Sequence, residues 1–407
     1  MKKILSGGAI AVAAVAAHAQ SSVVLYGIVD VGVSYQNNAQ TGKTGAHLNG
    51  ASQFAMTDAH ATGMSGSRWG LRGSEDLGGG LNALFVLENG FMVNNGTLAQ
   101  GGAEFGRQAY VGLSSTRWGT LSAGRQYDSV VDSVQTFSAP YFAGYMSSHV
   151  GDIDNLANTN RINNAIKYTS PSFHGVKATA LYSFGGVAGS QGRNQIWSLG
   201  VRYDGGPISA GAGYLNARNP NVSFYGNTPN KGLASADNLG SPGSATAPQA
   251  SPAIAGYASA STLEIMGLGA AYTFGSTTVN AVVTQTRFDG LGSASGPNPF
   301  HYSGNAAFTS VEIGVRHTFG PALMLGTAFD YTRRNSVDGD GGAKYMQLNL
   351  VADYLLSKRT DVYGLLALQR ATGRDSLAQP AVASISGFTA SATQRQMGLR
   401  VGIRHKF

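Results

Sequence analysis

The chain has 407 residues, 57 of them glycine, with no cysteine, only 12% charged residues and a formal net charge of +7. The missing cysteines exclude a disulfide framework and a thiolate metal site, and beyond the first apolar stretch no run approaches the ~18 residues of a membrane helix. Lysine and arginine are scattered singly without a run of five, so the basic balance does not read as a nucleic-acid surface.

Met1-Lys2-Lys3, the apolar run from Ile4 to Ala16 and Ala17-His18-Ala19 follow the charged, apolar and small-residue order of a secretory leader. Residues 1–19 are therefore expected to be removed during Sec-type export, leaving 20–407 as a single domain. Low charge combined with a mean hydropathy of −0.06 fits a chain whose alternate residues face lipid and water.

Period-two patterning begins at once, with Val23, Leu25, Gly27, Val29, Val31 and Val33 on one face of a first strand. Residues 37–66 are rich in Gly, Asn, Ser, Thr and Ala, show no period and read as a long loop. Short turns follow at 76–80, 115–119, 172–175, 204–207, 274–276, 319–321 and 357–360. Between them lie long polar stretches at about 94–104, 128–162, 185–193, 218–260, 289–307, 335–343 and 372–392. Such alternation gives about sixteen strands and the connection pattern of an all-β, transmembrane antiparallel β-barrel, with short turns on one side of the membrane and long loops on the other. The closing strand is the clearest: Met397, Leu399, Val401, Ile403, His405 and Phe407 on one face, Gln396, Arg400, Arg404 and Lys406 on the other. Phe407 is expected in an aromatic girdle with Tyr168, Phe274, Phe319 and Tyr363. The stretch 128–162 is too long for a hairpin and carries Phe137, Tyr141, Phe142, Tyr145 and Met146, so it reads as a functional insert that folds inward and narrows the hole.

Leu25-Tyr-Gly-Ile-Val-Asp30, Ser67-Arg-Trp-Gly-Leu-Arg-Gly-Ser-Glu-Asp-Leu-Gly78, Gly106-Arg-Gln-Ala-Tyr-Val-Gly-Leu113, Gly124-Arg-Gln-Tyr127 and the ending Val401-Gly-Ile-Arg-His-Lys-Phe407 resemble the trimeric general porins of Gram-negative outer membranes, in particular the betaproteobacterial type. The resemblance implies an outer-membrane homotrimer of sixteen-stranded barrels, each with its third long loop folded into the lumen as an eyelet. It also implies surroundings of membrane lipid and lipopolysaccharide, and insertion by barrel-assembly machinery.

Carried over by motif, a pore-wall column of arginines falls on Arg68, Arg107 and Arg161. Strand parity adds Arg72 to Arg68 and Lys167 to Arg161, and leaves Arg107 undecided because both faces of its strand are mixed. Where many relatives have a glutamate on the loop, this chain reads Pro140-Tyr141-Phe142, so Asp128 and Asp132 near the loop root and Asp152 and Asp154 near its end are the remaining acids there. Glu88 is expected either at the lumen or in a wall ion pair. Arg125 is expected to tie down a loop at the subunit contact, and Phe407 to serve as the assembly signal. The histidines lack ligand spacing and Asp338-Gly-Asp340 reads as a loop-tip turn, so neither metal nor cofactor is expected. With no Gly-x-Ser-x-Gly elbow the chain does not read as an enzyme. The expected function is passive diffusion of small hydrophilic solutes, with a preference for anions. The alternatives are a solute-specific channel, in which Tyr141, Phe142 and Tyr145 form a sliding track, and a structural or adhesin barrel.

Overall fold

A computed structural model describes residues 22–227, 232–294 and 296–407, so the expected leader lies outside the described residues. Seventeen strands form one antiparallel sheet. They are β1 (Ser22–Thr44), β2 (His47–Asp58), β3 (Arg68–Gly78), β4 (Leu81–Gly90), β5 (Gln108–Ser115), β6 (Gly119–Gln126), β7 (Ile162–Thr169), β8 (Val176–Ser183) and β9 (Ile196–Gly205). Then come β10 (Ile208–Arg218), β11 (Thr262–Phe274), β12 (Thr277–Leu291), β13 (Gly304–Phe319), β14 (Leu323–Arg334), β15 (Ala343–Leu355), β16 (Thr360–Gly373) and β17 (Arg395–Lys406). Pairing of β1 with β17, from Ile28 opposite Lys406 to Gln36 opposite Gly398, closes the barrel and leaves the wall without a free edge.

β1 is shared between two neighbours. Its first residues pair with β3, from Ser22 opposite Ser74 to Ile28 opposite Arg68, and its remainder pairs with β2 from Val31 opposite Asp58 to Thr44 opposite His47. β2 is thus the returning arm of a hairpin whose lower part, Gln53 to Asp58, continues the wall beyond the end of β3, and sixteen strands span. The stretch 37–66, expected as a structureless loop, is largely this hairpin. Most of β2 is exposed, so its backbone ladder rather than one-sided burial holds it, and no apolar alternation marks it in the sequence. All seven short turns fall where the sequence places them, whereas β12 and β13 reach further into the 289–307 stretch than expected.

Side chains alternate across the wall as the lipid–water boundary requires. On β17, Leu399, Val401, Ile403 and Phe407 are exposed on the outside while Gln396, Arg400 and Arg404 are buried on the inside. Tyr168, Phe274 and Phe319 also face outward. Tyr363 does not: its parity with Asp361 and Leu365 turns it inward, where its hydroxyl bonds Asp30 Oδ1 at 2.5 Å, so it is no girdle residue.

Candidate functional site

The loop joining β6 to β7 is fixed first at its root. Asp128 caps a short helix, α2 (Ser129–Val134), by accepting from the backbone N–H groups of Val130 and Val131 at 2.8 and 3.0 Å. Its other oxygen accepts from Asn155 Nδ2 at 2.9 Å, which joins the outgoing and returning limbs of the loop. Asp128 is fully buried by these contacts, so it is a loop staple and not the pore-lining acid the sequence suggested. The wall beside α2 is glycine-lined. A Cβ at Gly211 would stand 2.0 Å from the Ser133 carbonyl oxygen and one at Gly213 2.7 Å from Val130 Cα, so glycine is what lets the helix lie flat on β10.

Further on, Asn280 Nδ2 donates to the Phe137 carbonyl at 2.6 Å, the Ala139 N–H to Glu312 Oε1 at 2.7 Å and Gln347 Nε2 to the Met146 carbonyl at 2.9 Å. Phe142 and Met146 bury against Ala328, Val351 and Leu365 of β14 to β16. The expected aromatic track therefore loses Phe142, which anchors the loop to the wall. His149 lies buried between Asp154, 2.6 Å from Nδ1, and Glu312, 3.5 Å from Nε2. Burial opposes a charge on His149, but the carboxylates of Asp154, Glu312 and Asp330 outweigh it and hold the pKa up at about 10. The loop thus follows the inner wall from β9 to β15 and leaves the β3–β7 side open.

That open side is a cavity of about 600 Å³ lined on the wall by Arg68, Arg107, Arg161 and Tyr127, and on the loop by Gln135, Tyr141 and Tyr145. A second segment reaches it from the hairpin: α1 (Ala59–Thr62) and Gly63 turn inward, and Gly63 accepts from the Tyr145 N–H at 2.9 Å. His60 joins the lining, held by Asp58 at 2.8 Å.

The three arginines are not equivalent. Arg107 pairs with Glu88 at 2.7 Å, and that carboxylate also accepts from Tyr26 at 3.0 Å, so Glu88 is a wall ion-pair residue. Arg161 is 4% exposed, donates to the Thr159 carbonyl at 2.9 Å and lies 5.7 Å over the Tyr127 ring. Burial, and then the repulsion of Arg107, lower its pKa from the usual value to about 9, which leaves it charged at neutral pH. Arg68 donates from Nε to the Gly66 carbonyl at 3.1 Å. Tyr141, 57% exposed, occupies the place where a loop carboxylate was missing from the sequence.

The other expected residues sit apart from this cavity. Arg72 lies two inward positions along β3 from Arg68, about 13 Å away by strand rise, with its guanidinium over Tyr26 at 5.4 Å. Lys167 is bound to Asp132 at 2.8 Å, so these two neutralise each other at the loop root. Arg125 bonds the Gly106 carbonyl at 2.8 Å, the Asn163 side chain and the Asn227 carbonyl at 3.1 Å, tying the 218–260 loop to the wall. The sequence reading missed His60, Gln100, Tyr127 and Asn158 at the eyelet. They come from three separate connections, those between β2 and β3, β4 and β5, and β6 and β7, and only folding brings them together.

The Gram-negative porin family profile matches residues 7–374. An outer membrane porin protein of Bordetella pertussis is 31% identical over 432 aligned residues, with all of both chains covered. Outer membrane porin protein 32 of Delftia acidovorans is 30% identical, again with both chains covered completely. Among solved structures, an anion-selective porin from Comamonas acidovorans matches with a TM-score of 0.69 and 26% identity over 95% of this chain and 100% of that one.

Proposed function

The chain belongs to the Gram-negative porin family, and from that premise we propose that the outer-membrane diffusion channel it forms prefers anions. One observation carries the proposal: among the described residues, the cavity between wall and loop is lined by three arginines and His60 and by no carboxylate. In a water-filled lumen with an effective dielectric near 20, a charge ~4 Å from a permeating ion acts with about 4 kcal/mol before desolvation. The field is felt because the passage is narrow at this level. Under a potassium chloride gradient in a planar bilayer, the reversal potential is expected on the chloride side at low salt. It should shrink at molar salt, where the Debye length falls to ~3 Å. A potential on the potassium side at low salt would refute the proposal.

The proposal includes a homotrimer with no catalytic role, surrounded by membrane lipid and lipopolysaccharide. The wall is low where β5, β6, β7 and β8 have eight residues each, which suits cover by a neighbouring barrel, and Arg125 supports that side by holding its loop. Oligomer bands in cold detergent gels should vanish on boiling; a monomer in mild detergent would count against the trimer.

A further inference from the structure

We infer that the passage is built for anions that also carry hydroxyl groups: a carboxylate or phosphate with several hydroxyls along its carbon chain, the chemistry of sugar acids and sugar phosphates. The inference rests on the anion preference proposed above and specifies which anions gain from it.

The eyelet itself offers more than positive charge. On the lining of the arginine cavity, Arg161 Nε, Asn158 Oδ1 and Gln100 Oε1 are buried without a hydrogen-bond partner among the described residues. Arg161 and Asn158 are 4% and 5% exposed, so both are built into the wall of the cavity. An unmet buried donor or acceptor costs about 1–3 kcal/mol unless water or a solute satisfies it. A halide can satisfy the guanidinium but has no hydrogen to give to the two amide oxygens. A hydroxylated anion has both.

A second cavity, of about 530 Å³, adjoins the first along Tyr145 and Thr159. It lies on the outer side, between the constriction loop, the 218–260 loop and the 372–392 loop. Among the described residues no Asp, Glu, Lys, Arg or His lines it; Asn160, Asn238, Gln249 and Ser386 do, together with the rings of Tyr225 and Phe388. The Tyr225 hydroxyl is buried without a partner among the described residues. A vestibule serving inorganic anions alone would gain from charge that steers them inward. Amides and hydroxyls set between aromatic faces instead exchange hydrogen bonds with a polyol and cover its C–H surface. The solute meets the hydroxyl-binding chamber first and the guanidinium groups second.

The test uses block of chloride current through the intact protein in planar bilayers, with gluconate and hexanoate added on the loop side. Both are six-carbon carboxylates, and only gluconate carries hydroxyls along its chain. Gluconate should reach half-block at a concentration about tenfold lower than hexanoate, the equivalent of one or two net hydrogen bonds. The double variant Asn158→Leu, Gln100→Leu should lose most of that ratio. Equal block by the two anions in the natural protein would overturn the inference, and so would a ratio that the double variant retains. The chloride-to-potassium reversal potential reports separately on the parent proposal: if it favours chloride while gluconate and hexanoate block alike, only the inference about hydroxyls falls.

Discussion

Arg107 holds its charge against a carboxylate, whereas among the described residues no carboxylate pairs with Arg68 or Arg161. Exchange of Arg68 or Arg161 for Gln should therefore weaken chloride preference by removing one uncompensated charge each. Exchange of Arg107 should do more, because it also bares Glu88 in the wall. Breaking that buried pair from one side is expected to cost roughly 3–5 kcal/mol of local stability. The triple exchange should carry the reversal potential through zero toward potassium, and Tyr141→Glu should move it the same way. An unchanged potential in the triple variant would place the field elsewhere, and Arg400 and Arg404 are poor candidates for it. Arg400 is fully buried 3.5 Å from Asp30, and Arg404 is bound to Asp361 at 3.0 Å and to Asp353 at 3.3 Å. At this scale Arg68 and Arg161 were legible from strand parity and resemblance. The inward positions of Asp128 and Lys167 were legible as well, but not the partners that take them out of the pore.

The constriction loop is held by packing, by hydrogen bonds, by the Lys167–Asp132 pair at its root and by a charged latch at His149. His149 has a folded pKa of about 10 against about 6.5 when unfolded. Its contribution to loop stability is therefore complete below pH ~6.5 and is lost as pH rises through ~10. Open-channel current should be quiet at neutral pH and grow noisy above pH ~10. His149→Gln, which leaves Asp154 and Glu312 facing each other without a cation, should be noisy already at pH 7. A quiet record from that variant would mean that the remaining anchors, Phe142 and Met146 in the wall and the hydrogen bonds from Asn280 and Gln347, keep the loop in place without the latch. The sequence disclosed that this element is long, aromatic and set after the fifth wall strand. It could not disclose the latch, since Glu312 and His149 are 163 positions apart and each reads alone as an ordinary polar residue. The β1–β2 hairpin was illegible for a different reason, because it buries too little to leave a pattern.

The barrel as a whole depends on its seam, where the first and last strands of the chain meet. β1 and β17 meet over nine residue pairs, and the end of the seam is sealed by Phe407, whose N–H and carbonyl bond Gly27 at 3.0 and 3.1 Å. The ring lies across Gly27 so closely that a Cβ there would stand 2.3 Å from its Cζ. Gly27 is thus legible as part of the first strand, but its role as the seat of the terminal ring follows only from closure. Two changes test the seam from its two sides. Deleting Phe407 removes the ring and both hydrogen bonds. It also removes the terminal aromatic that we propose is presented to the barrel-assembly machinery. Gly27→Val keeps the terminal residue but fills its seat. If closure alone limits assembly, both variants should lower the heat-modifiable folded fraction, in cells and in detergent refolding. If presentation of Phe407 limits it, the deletion should lower outer-membrane yield in cells well below that of Gly27→Val, while the two refold alike in detergent. Normal yield and normal refolding of the deleted chain would show that neither the seal nor the terminal aromatic is needed.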